Sequence, residues 1–228
     1  MRRRAFVTAA LTMPLAQVRA WAAPPPVVLE LFTSQGCSSC PPADALLGEL
    51  TRRPGVIGLA WHVDYWNSLG WRDPYARREW TERQKSYAHH LRGEVYTPAL
   101  VVNGAAMMVG SDQEAVRQAM ERTAPPPLSV TLRRTASALE VEIGQTAMPI
   151  TAMLVLYDPE RTTQVGAGEN HGRKLVEYRV VREVILVEKL AAKLVLPAIP
   201  DDKGAVLLIQ DASWRVAGAA DLPPVRRS

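Results

Sequence analysis

One stretch near the start of the chain decides its fold: residues 27–52, VVLELFTSQGCSSCPPADALLGELTR. Residues 27–33 form an apolar run of the length of a buried β-strand. From Pro42 to Arg52, apolar side chains recur at the spacing of one helical face, which predicts an α-helix. Cys37 and Cys40 lie between these elements, at the start of the helix. The stretch therefore predicts a strand, a CxxC motif and a helix in direct succession.

Strand and helix patterns continue to alternate as far as residue 124. Residues 56–63 predict a second buried strand. Asp73-Pro74 offers an N-cap followed by a first-turn proline, and Gly93 ends the helix that this pattern opens. A second helix is therefore expected after the second strand.

The last part of this region predicts a hairpin and a helix. Asn103-Gly104 separates two apolar runs within residues 99–109, a pattern typical of a β-hairpin. Ser111 and Glu114 form a capping box for a final helix. The whole order indicates an α/β domain over residues 24–124.

Pro125-Pro126-Pro127 marks the end of this domain, because successive prolines cannot donate backbone hydrogen bonds and favour an extended spacer. Beyond them the pattern changes to period two: Leu139, Val141 and Ile143 face one way, and the glutamates between them face the other. Similar stretches follow at residues 150–157, 175–187, 193–196 and 205–210. The sequence thus predicts a small all-β, sandwich-like domain over residues 128–228.

Cys37 and Cys40 are the chain's two cysteines and its strongest candidates for chemistry. At a helix N-terminus, unpaired backbone N–H groups and the helix macrodipole stabilise a thiolate, so the pKa of Cys37 should fall below that of a free thiol. A lower pKa makes Cys37 a nucleophile and a good leaving group. Cys40, one turn later and facing inward, is expected to resolve a mixed disulfide formed at Cys37.

Other roles are open for the cysteine pair. It could be a structural disulfide of an exported protein, although a two-residue spacer closes a very small loop and chain-entropy stabilisation grows with loop length. It could also bind copper or zinc with His62 as a third ligand, since the second strand lies close to the first in such a fold. His62 is alternatively a proton carrier for the thiol or a hydrogen-bonded structural histidine.

Thr97-Pro98 stands immediately before the predicted third strand and is a candidate substrate groove. A cis bond before Pro98 would turn the backbone of Thr97 toward the Cys37 sulfur, where its main-chain groups could pair with an incoming peptide. The alternative is an ordinary trans proline at the entry of a strand.

Aromatic residues are concentrated around an insertion near residues 64–75, between the second strand and the second helix. Trp66, Trp71 and Tyr96 are candidates for binding a partner polypeptide, because aromatic side chains give large contact area at a modest ordering cost. The alternative is a packed loop whose aromatic side chains cover a small core.

The order of elements over residues 27 to 124 is similar to the thioredoxin fold, with the CxxC motif at a helix start and an X-Pro before a hairpin. Several segments more closely resemble an exported bacterial thioredoxin-like family catalogued as domain of unknown function 1223. They are LFTSQGCSSCPPAD (31–44), HVDYWNSLGWRDP (62–74), RQKSYA (83–88), VYTPALVVNG (95–104) and GENHGRKL (168–175). The resemblance implies an α/β thioredoxin-like domain and export, and it supplies no established reaction.

The basic excess of the chain is confined to its first residues. The chain has 228 residues, with 27 Lys plus Arg and 23 Asp plus Glu, for a net charge of +4. Four arginines account for all of it (27 − 4 = 23): Arg2, Arg3, Arg4 and Arg19. They lie in residues 1–23, whose charged start, apolar middle and small-residue end predict a secretory signal peptide. We expect a periplasmic or extracellular protein with no lasting membrane anchor and no nucleic-acid partner.

Three functions fit these patterns. The first is an exported thiol:disulfide oxidoreductase, without a cofactor, that acts on a cysteine-containing protein or a small thiol. The second is a copper or zinc carrier that uses the CxxC motif, and the third is a redox-silent adaptor that binds a partner through the aromatic insertion and the second half. The direction of electron flow and the redox partner stay open, because the dipeptide between the cysteines is Ser-Ser.

Overall fold

The structure is a computed structural model that describes residues 25–225, so the predicted signal peptide lies outside the described residues. Within this range the chain forms three helices and eleven strands. In chain order they are β1 (Val27–Thr33), α1 (Pro41–Leu50), β2 (Val56–His62), α2 (Arg78–His90), β3 (Ala99–Val102), β4 (Ala106–Val109), α3 (Gln113–Arg122), β5 (Val130–Arg134), β6 (Ala138–Ile143), β7 (Ile150–Gln164), β8 (Lys174–Leu186), β9 (Lys193–Pro197), β10 (Gly204–Asp211) and β11 (Val216–Leu222). None of the three helices is long and apolar enough to cross a membrane.

Eight strands form one mixed sheet, in the order β11-β10-β7-β8-β2-β1-β3-β4. β1 runs parallel to β2, with Thr33 opposite His62, and antiparallel to β3, with Phe32 opposite Ala99. The C-terminal ends of β1 and β2 therefore lie at the same edge of the sheet as the start of β3. The loop that carries the cysteines leaves β1 at this edge.

The prediction of a separate second domain after the three prolines is corrected by this sheet. β8 lies beside β2, with Val180 opposite Ala60, and the side chain of Arg179 donates to the carbonyl oxygen of Gly58 at 2.7 Å. Without a neighbour on the side opposite β1, the backbone groups of β2 would lack hydrogen-bond partners there. β8 occupies that side of β2. The large sheet thus combines strands from both halves of the chain.

A three-stranded sheet, in the order β5-β6-β9, packs on the part of the large sheet formed by the second half. Val141 and Ile143 of β6 share a core with Leu207 and Ile209 of β10. Fully burying each such side chain contributes about 1.5–3 kcal/mol. The two sheets are therefore held face to face by apolar packing, as the alternation of β6 predicts.

The first half buries apolar residues on both faces of the large sheet. One face packs against α1 and α3, through Leu46 and Leu47 of α1 and Val116 of α3. The other face packs against α2, through Trp80 and Tyr87. The three helices therefore cover both faces of this part of the sheet and support the loops at the end of β1.

Two predicted helix starts are wrong. α2 begins at Arg78, and the Asp73 carboxylate accepts hydrogen bonds inside the protein instead of capping a helix. α3 is capped by Asp112, whose side chain accepts a hydrogen bond from the amide of Ala115, rather than by Ser111. In both places the short polar side chain indicates a helix that the structure contains, but Asp73 lies five residues before the start of α2 and Ser111 lies one residue before the N-cap of α3.

Candidate functional site

Cys37 and Cys40 are joined by a disulfide in the loop between β1 and α1. Both cysteines are fully buried, at 0% exposure, whereas Ser38 and Ser39 between them are exposed. The Cys37 sulfur lies 3.3 Å from the hydroxyl oxygen of Ser39. The two serines are therefore the exposed part of the segment that the disulfide closes.

The N-terminus of α1 offers Cys37 few free amide donors. Pro41-Pro42 have no N–H groups, and the amides of Ala43 and Asp44 both donate to the carbonyl oxygen of Cys40. The Cys40 amide in turn donates to the carbonyl oxygen of Cys37 at 3.2 Å. The expected stabilisation of a Cys37 thiolate by unpaired backbone N–H groups is therefore weaker than the sequence suggests, because most of these groups are absent or engaged.

A turn between β7 and β8, residues 165–173, lies against the cysteine loop. The side-chain amide of Asn170 donates to the carbonyl oxygens of Gln35 and Cys37, both at 2.9 Å. Asn170 is fully buried, and Arg173 donates to its side-chain oxygen at 2.8 Å. Asn170 therefore holds the backbone on the N-terminal side of the disulfide.

Glu169, the neighbour of Asn170, contacts the segment between the cysteines. One carboxylate oxygen accepts a hydrogen bond from the amide of Ser38 at 3.1 Å, although Glu169 itself is exposed. Hydrogen bonds from the side chain and backbone of Ser38 lower the pKa of Glu169. The second half of the chain thus places an ionised carboxylate next to the disulfide.

This turn was missed as a functional element by sequence reasoning. The segment GENHG predicts a turn between strands, which the structure confirms, but residues 169 and 170 lie more than a hundred positions after the cysteines. The one available signal was the GENHGRKL segment shared with the family resemblance. No local pattern showed which loop the turn would contact.

Four titratable side chains are buried beneath the cysteine loop: Asp44, His62, Asp73 and Glu177. His62 Nδ1 pairs with an Asp73 carboxylate oxygen at 2.7 Å, and His62 Nε2 lies 4.0 Å from a Glu177 carboxylate oxygen. Burial disfavours the imidazolium, but the carboxylates of Asp73 and Glu177 outweigh burial and raise the pKa of His62 to about 9. His62 is therefore a buried cation within a group of acids.

Asp44 is the member of this group closest in sequence to the disulfide. It follows Cys40 by four residues on α1, so the two side chains lie on the same side of the helix. Burial raises the pKa of Asp44 to about 7, although the charge of His62 acts in the opposite direction. One carboxylate oxygen of Asp44 has no hydrogen-bond partner among the described residues. Asp44 can therefore exchange a proton near neutral pH.

Gln35 links the cysteine loop to this buried group. Its backbone amide donates to Asp73 at 2.9 Å, and its side-chain amide donates to Glu177 at 2.8 Å. Its side-chain oxygen accepts from the indole N–H of Trp71 at 3.0 Å. Asn170 also donates to the Gln35 carbonyl oxygen. All four polar groups of Gln35, two of the backbone and two of the side chain, are therefore engaged in hydrogen bonds.

The Thr97–Pro98 peptide bond is cis. Because Phe32 pairs with Ala99, Pro98 lies beside the end of β1, next to the loop that carries the cysteines. The hydroxyl of Thr97 accepts a hydrogen bond from the indole N–H of Trp66 at 2.8 Å. The structure thus brings Thr97, Pro98 and Trp66 to the same sheet edge as the disulfide.

The three aromatic candidates are each half-buried. Trp66 lies against the cysteine loop, because a Cβ atom at Gly36 would lie 3.0 Å from the Trp66 Cβ. Trp71 lies between Gln35 and the turn that carries Glu169, and Tyr96 packs at the border of the core. Each of the three side chains is partly exposed. Binding of a partner polypeptide at these side chains stays a prediction.

A metal centre of three or more His, Cys, Asp or Glu ligands is not formed among residues 25–225. The Nδ1 atom of His62 is engaged by Asp73, and its Nε2 atom points toward Glu177. Both ring nitrogens of His62 therefore face carboxylates that are buried beneath the cysteine loop.

A family model described as "Protein of unknown function (DUF1223)" matches residues 28–210 of the chain. The chain belongs to the DUF1223 family. The match runs from β1 to β10, so the matched part of this chain includes both the CxxC motif and the turn with Asn170. Among curated proteins, none matches the chain.

Solved structures include a similar protein of closely matching length. The crystal structure of protein AGR_C_4864 from Agrobacterium tumefaciens is 30% identical, with a TM-score of 0.79, and the alignment covers 89% of this chain and 96% of that one. HBP35 of Porphyromonas gingivalis is 13% identical, with a TM-score of 0.59, over 90% of this DUF1223 chain and 78% of that one. The second likeness concerns the fold alone.

Proposed function

We propose that this DUF1223 protein is a thiol:disulfide oxidoreductase whose working couple is the Cys37–Cys40 disulfide. One observation carries the proposal: the disulfide lies at the start of α1, one helical turn from a buried acid, Asp44, that titrates near neutral pH. A structural bridge of this spacing would add little stability, because it closes a very small loop. A buried proton acceptor beside it is instead what a dithiol needs, since thiol exchange releases and takes up protons.

The reaction begins with a thiolate of the substrate that attacks the sulfur of Cys37. The Cys37–Cys40 bond breaks, a mixed disulfide forms between the substrate and Cys37, and Cys40 leaves as a thiolate. A second substrate thiolate attacks the substrate sulfur of the mixed disulfide, which releases Cys37. The substrate dithiol is oxidised to a disulfide by two electrons, the protein disulfide is reduced to a dithiol, and the reverse sequence reduces a substrate disulfide.

Asp44 is the proton donor and acceptor for Cys40 in this scheme. When the substrate is oxidised, the protonated carboxyl of Asp44 gives its proton to the Cys40 thiolate. When a substrate disulfide is reduced, the Asp44 carboxylate removes the proton from the Cys40 thiol. A pKa of about 7 suits both directions, because both forms of the carboxyl are then populated near neutral pH. His62 favours the carboxylate form through its positive charge.

The first half of the chain is proposed to be thioredoxin-like, with Thr97 and Pro98 shaping the groove for a cysteine-containing protein or a small thiol. Its support is the arrangement of β1, the CxxC loop, α1, β2, α2 and the β3–β4 hairpin along one sheet. The basic, apolar leader in residues 1–23 supports an exported location, where disulfide exchange has substrates.

Trapping of mixed disulfides tests the proposed roles. A reduced Cys40→Ser variant should capture a labelled peptide disulfide as a stable adduct at Cys37, whereas a Cys37→Ser variant should capture far less. The double variant gives the background, and urea unfolding of each variant checks that the fold is kept. Equal capture by both single variants, or capture by neither, would overturn the proposal.

A further inference from the structure

The second half of the chain reaches the disulfide through the turn at residues 165–173, where a carboxylate oxygen of Glu169 accepts a hydrogen bond from the amide of Ser38 at 3.1 Å. We propose that Glu169 is a positioning residue that biases the Cys37–Cys40 couple toward the disulfide by holding a negative charge against the amide of Ser38. This inference rests on the proposed function. It gives the second half a role in the chemistry rather than in packing alone.

The position of Glu169 is fixed by its neighbour. Asn170 is fully buried and donates to two backbone carbonyl oxygens of the cysteine loop, so the turn cannot shift without breaking both bonds. Arg173 fixes the Asn170 side chain from the other side at 2.8 Å. Glu169 is therefore presented to Ser38 by a rigid support, although its own side chain is exposed.

The carboxylate acts on the reduced protein more than on the oxidised one. The disulfide is neutral, whereas reduction leaves a thiolate at Cys37 whenever the pH is above its pKa. The Ser38 amide directly follows Cys37 in the chain and is engaged by Glu169 at 3.1 Å, so it is not free to donate to such a thiolate. The negative charge of Glu169 also repels the thiolate. Both effects raise the pKa of Cys37 and disfavour the dithiol.

The groups that face Cys37 from the other packed elements do not cancel this effect. Pro41-Pro42 supply no amide, and Ser39 offers a neutral hydroxyl at 3.3 Å. His62 is the cation of the buried group, and its Nδ1 is paired with Asp73 at 2.7 Å. Arg173 is the cation of the turn itself, and its guanidinium donates to the side-chain oxygen of Asn170 at 2.8 Å. Asp44 adds further negative charge when it is ionised.

Removal of the charge should therefore stabilise the reduced protein. With glutathione, the reaction is protein disulfide plus two glutathione thiols giving protein dithiol plus glutathione disulfide, so the electrons and protons balance. In Glu169→Gln, at a pH above the pKa of Cys37, we expect the equilibrium constant for this reaction to rise about threefold to tenfold, which is the range for a unit charge several ångströms away in a solvent-exposed site. We also expect a lower pKa for Cys37.

The test measures the equilibrium with glutathione and the pH dependence of Cys37 alkylation, on the full chain. Glu160→Gln is the matched control, because Glu160 is an exposed glutamate on β7 without a side-chain hydrogen bond or ion pair within residues 25–225. Glu169→Asp keeps the charge and should stay close to wild type. High salt should reduce the difference between Glu169→Gln and wild type, since the charge is exposed.

The outcomes separate this inference from the proposed function. A shift toward the dithiol in Glu169→Gln, with Glu160→Gln unchanged, supports the inference. Wild-type protein that exchanges with glutathione while Glu169→Gln has the same equilibrium constant and the same Cys37 pKa overturns the inference alone. Wild-type protein that does not exchange with glutathione at all overturns both.

Discussion

Asn170 follows Cys37 by 133 residues, yet its side-chain amide donates to the Cys37 carbonyl oxygen at 2.9 Å. The same amide donates to Gln35, so a single side chain from the second half of the chain holds the backbone before the disulfide. β8 lies beside β2 in the large sheet, and the turn that precedes β8 contacts the loop after β1. The site is therefore built by both halves of the chain.

We expect Asn170→Ala to destabilise the protein by about 2–3 kcal/mol, because the Gln35 carbonyl oxygen loses its side-chain donor and the Cys37 carbonyl oxygen loses one of two donors. Urea unfolding at neutral pH measures this change in the free energy of unfolding. Gln164→Ala is the control from the same region, since Gln164 is exposed and makes one hydrogen bond to Gly172. Its expected cost is about 0.5 kcal/mol or less. Equal losses in the two variants would contradict a special role for Asn170.

Much of this site could be predicted from the sequence, but the turn at residues 165–173 could not. The CxxC loop is local: β1 spans Val27–Thr33 as the apolar run predicts, and α1 begins within one residue of the predicted start. The contact of Asn170 depends on which strand joins the free edge of β2, and the alternation within a strand does not specify its neighbours.

The burial of Asp73 and Glu177 could not be predicted from the sequence either. The Asp-Pro sequence at residue 73 is typical of a helix start, and only the folded chain shows that its carboxylate faces His62. Glu177 lies in an alternating strand, where a glutamate is expected to face solvent, but the cysteine loop covers it. Asp44 belongs to the predicted helix, and its burial follows from the contact of α1 with the sheet.

The Asp44→Asn variant should change stability in a pH-dependent way. Burial raises the pKa of Asp44 from 3.8 to about 7, so the folded protein binds more protons than the unfolded chain between these values. Stability therefore falls as the pH rises through this window, because ionisation of the buried carboxyl is costly. At pH 8 the variant should be more stable than wild type, by on the order of 3 kcal/mol, and the difference should shrink toward pH 4. A difference that is constant with pH would contradict this assignment.

The same variant should exchange disulfides more slowly. If Asp44 moves the proton of Cys40, its loss should lower the rate near neutral pH by on the order of a hundredfold, the usual contribution of general acid–base catalysis. Stopped-flow measurement of the reaction with dithiothreitol across pH 5 to 9 should also show the loss of an inflection near pH 7. An unchanged profile in Asp44→Asn would exclude Asp44 as the proton carrier.

His62 should make the protein less stable at high pH. Burial opposes its charge, but Asp73 and Glu177 raise its pKa from 6.5 to about 9. A raised folded-state pKa contributes stability that is fully present below pH 6.5 and is lost as the pH rises through 9. Thermal unfolding of wild type and His62→Gln from pH 6 to pH 10 measures this loss, expected on the order of 3 kcal/mol in wild type and absent in the variant. Parallel curves for the two proteins would show that His62 stays neutral.

The reduction potential of the Cys37–Cys40 couple tests the central claim most directly. Equilibration of the full-length wild-type protein with glutathione buffers, followed by quantification of its free thiols, gives this value. For a working oxidoreductase we expect a potential between about −120 and −270 mV, the range of known thiol–disulfide catalysts. A potential far below about −300 mV is typical of a structural bridge that resists reduction, and it would contradict the proposed function.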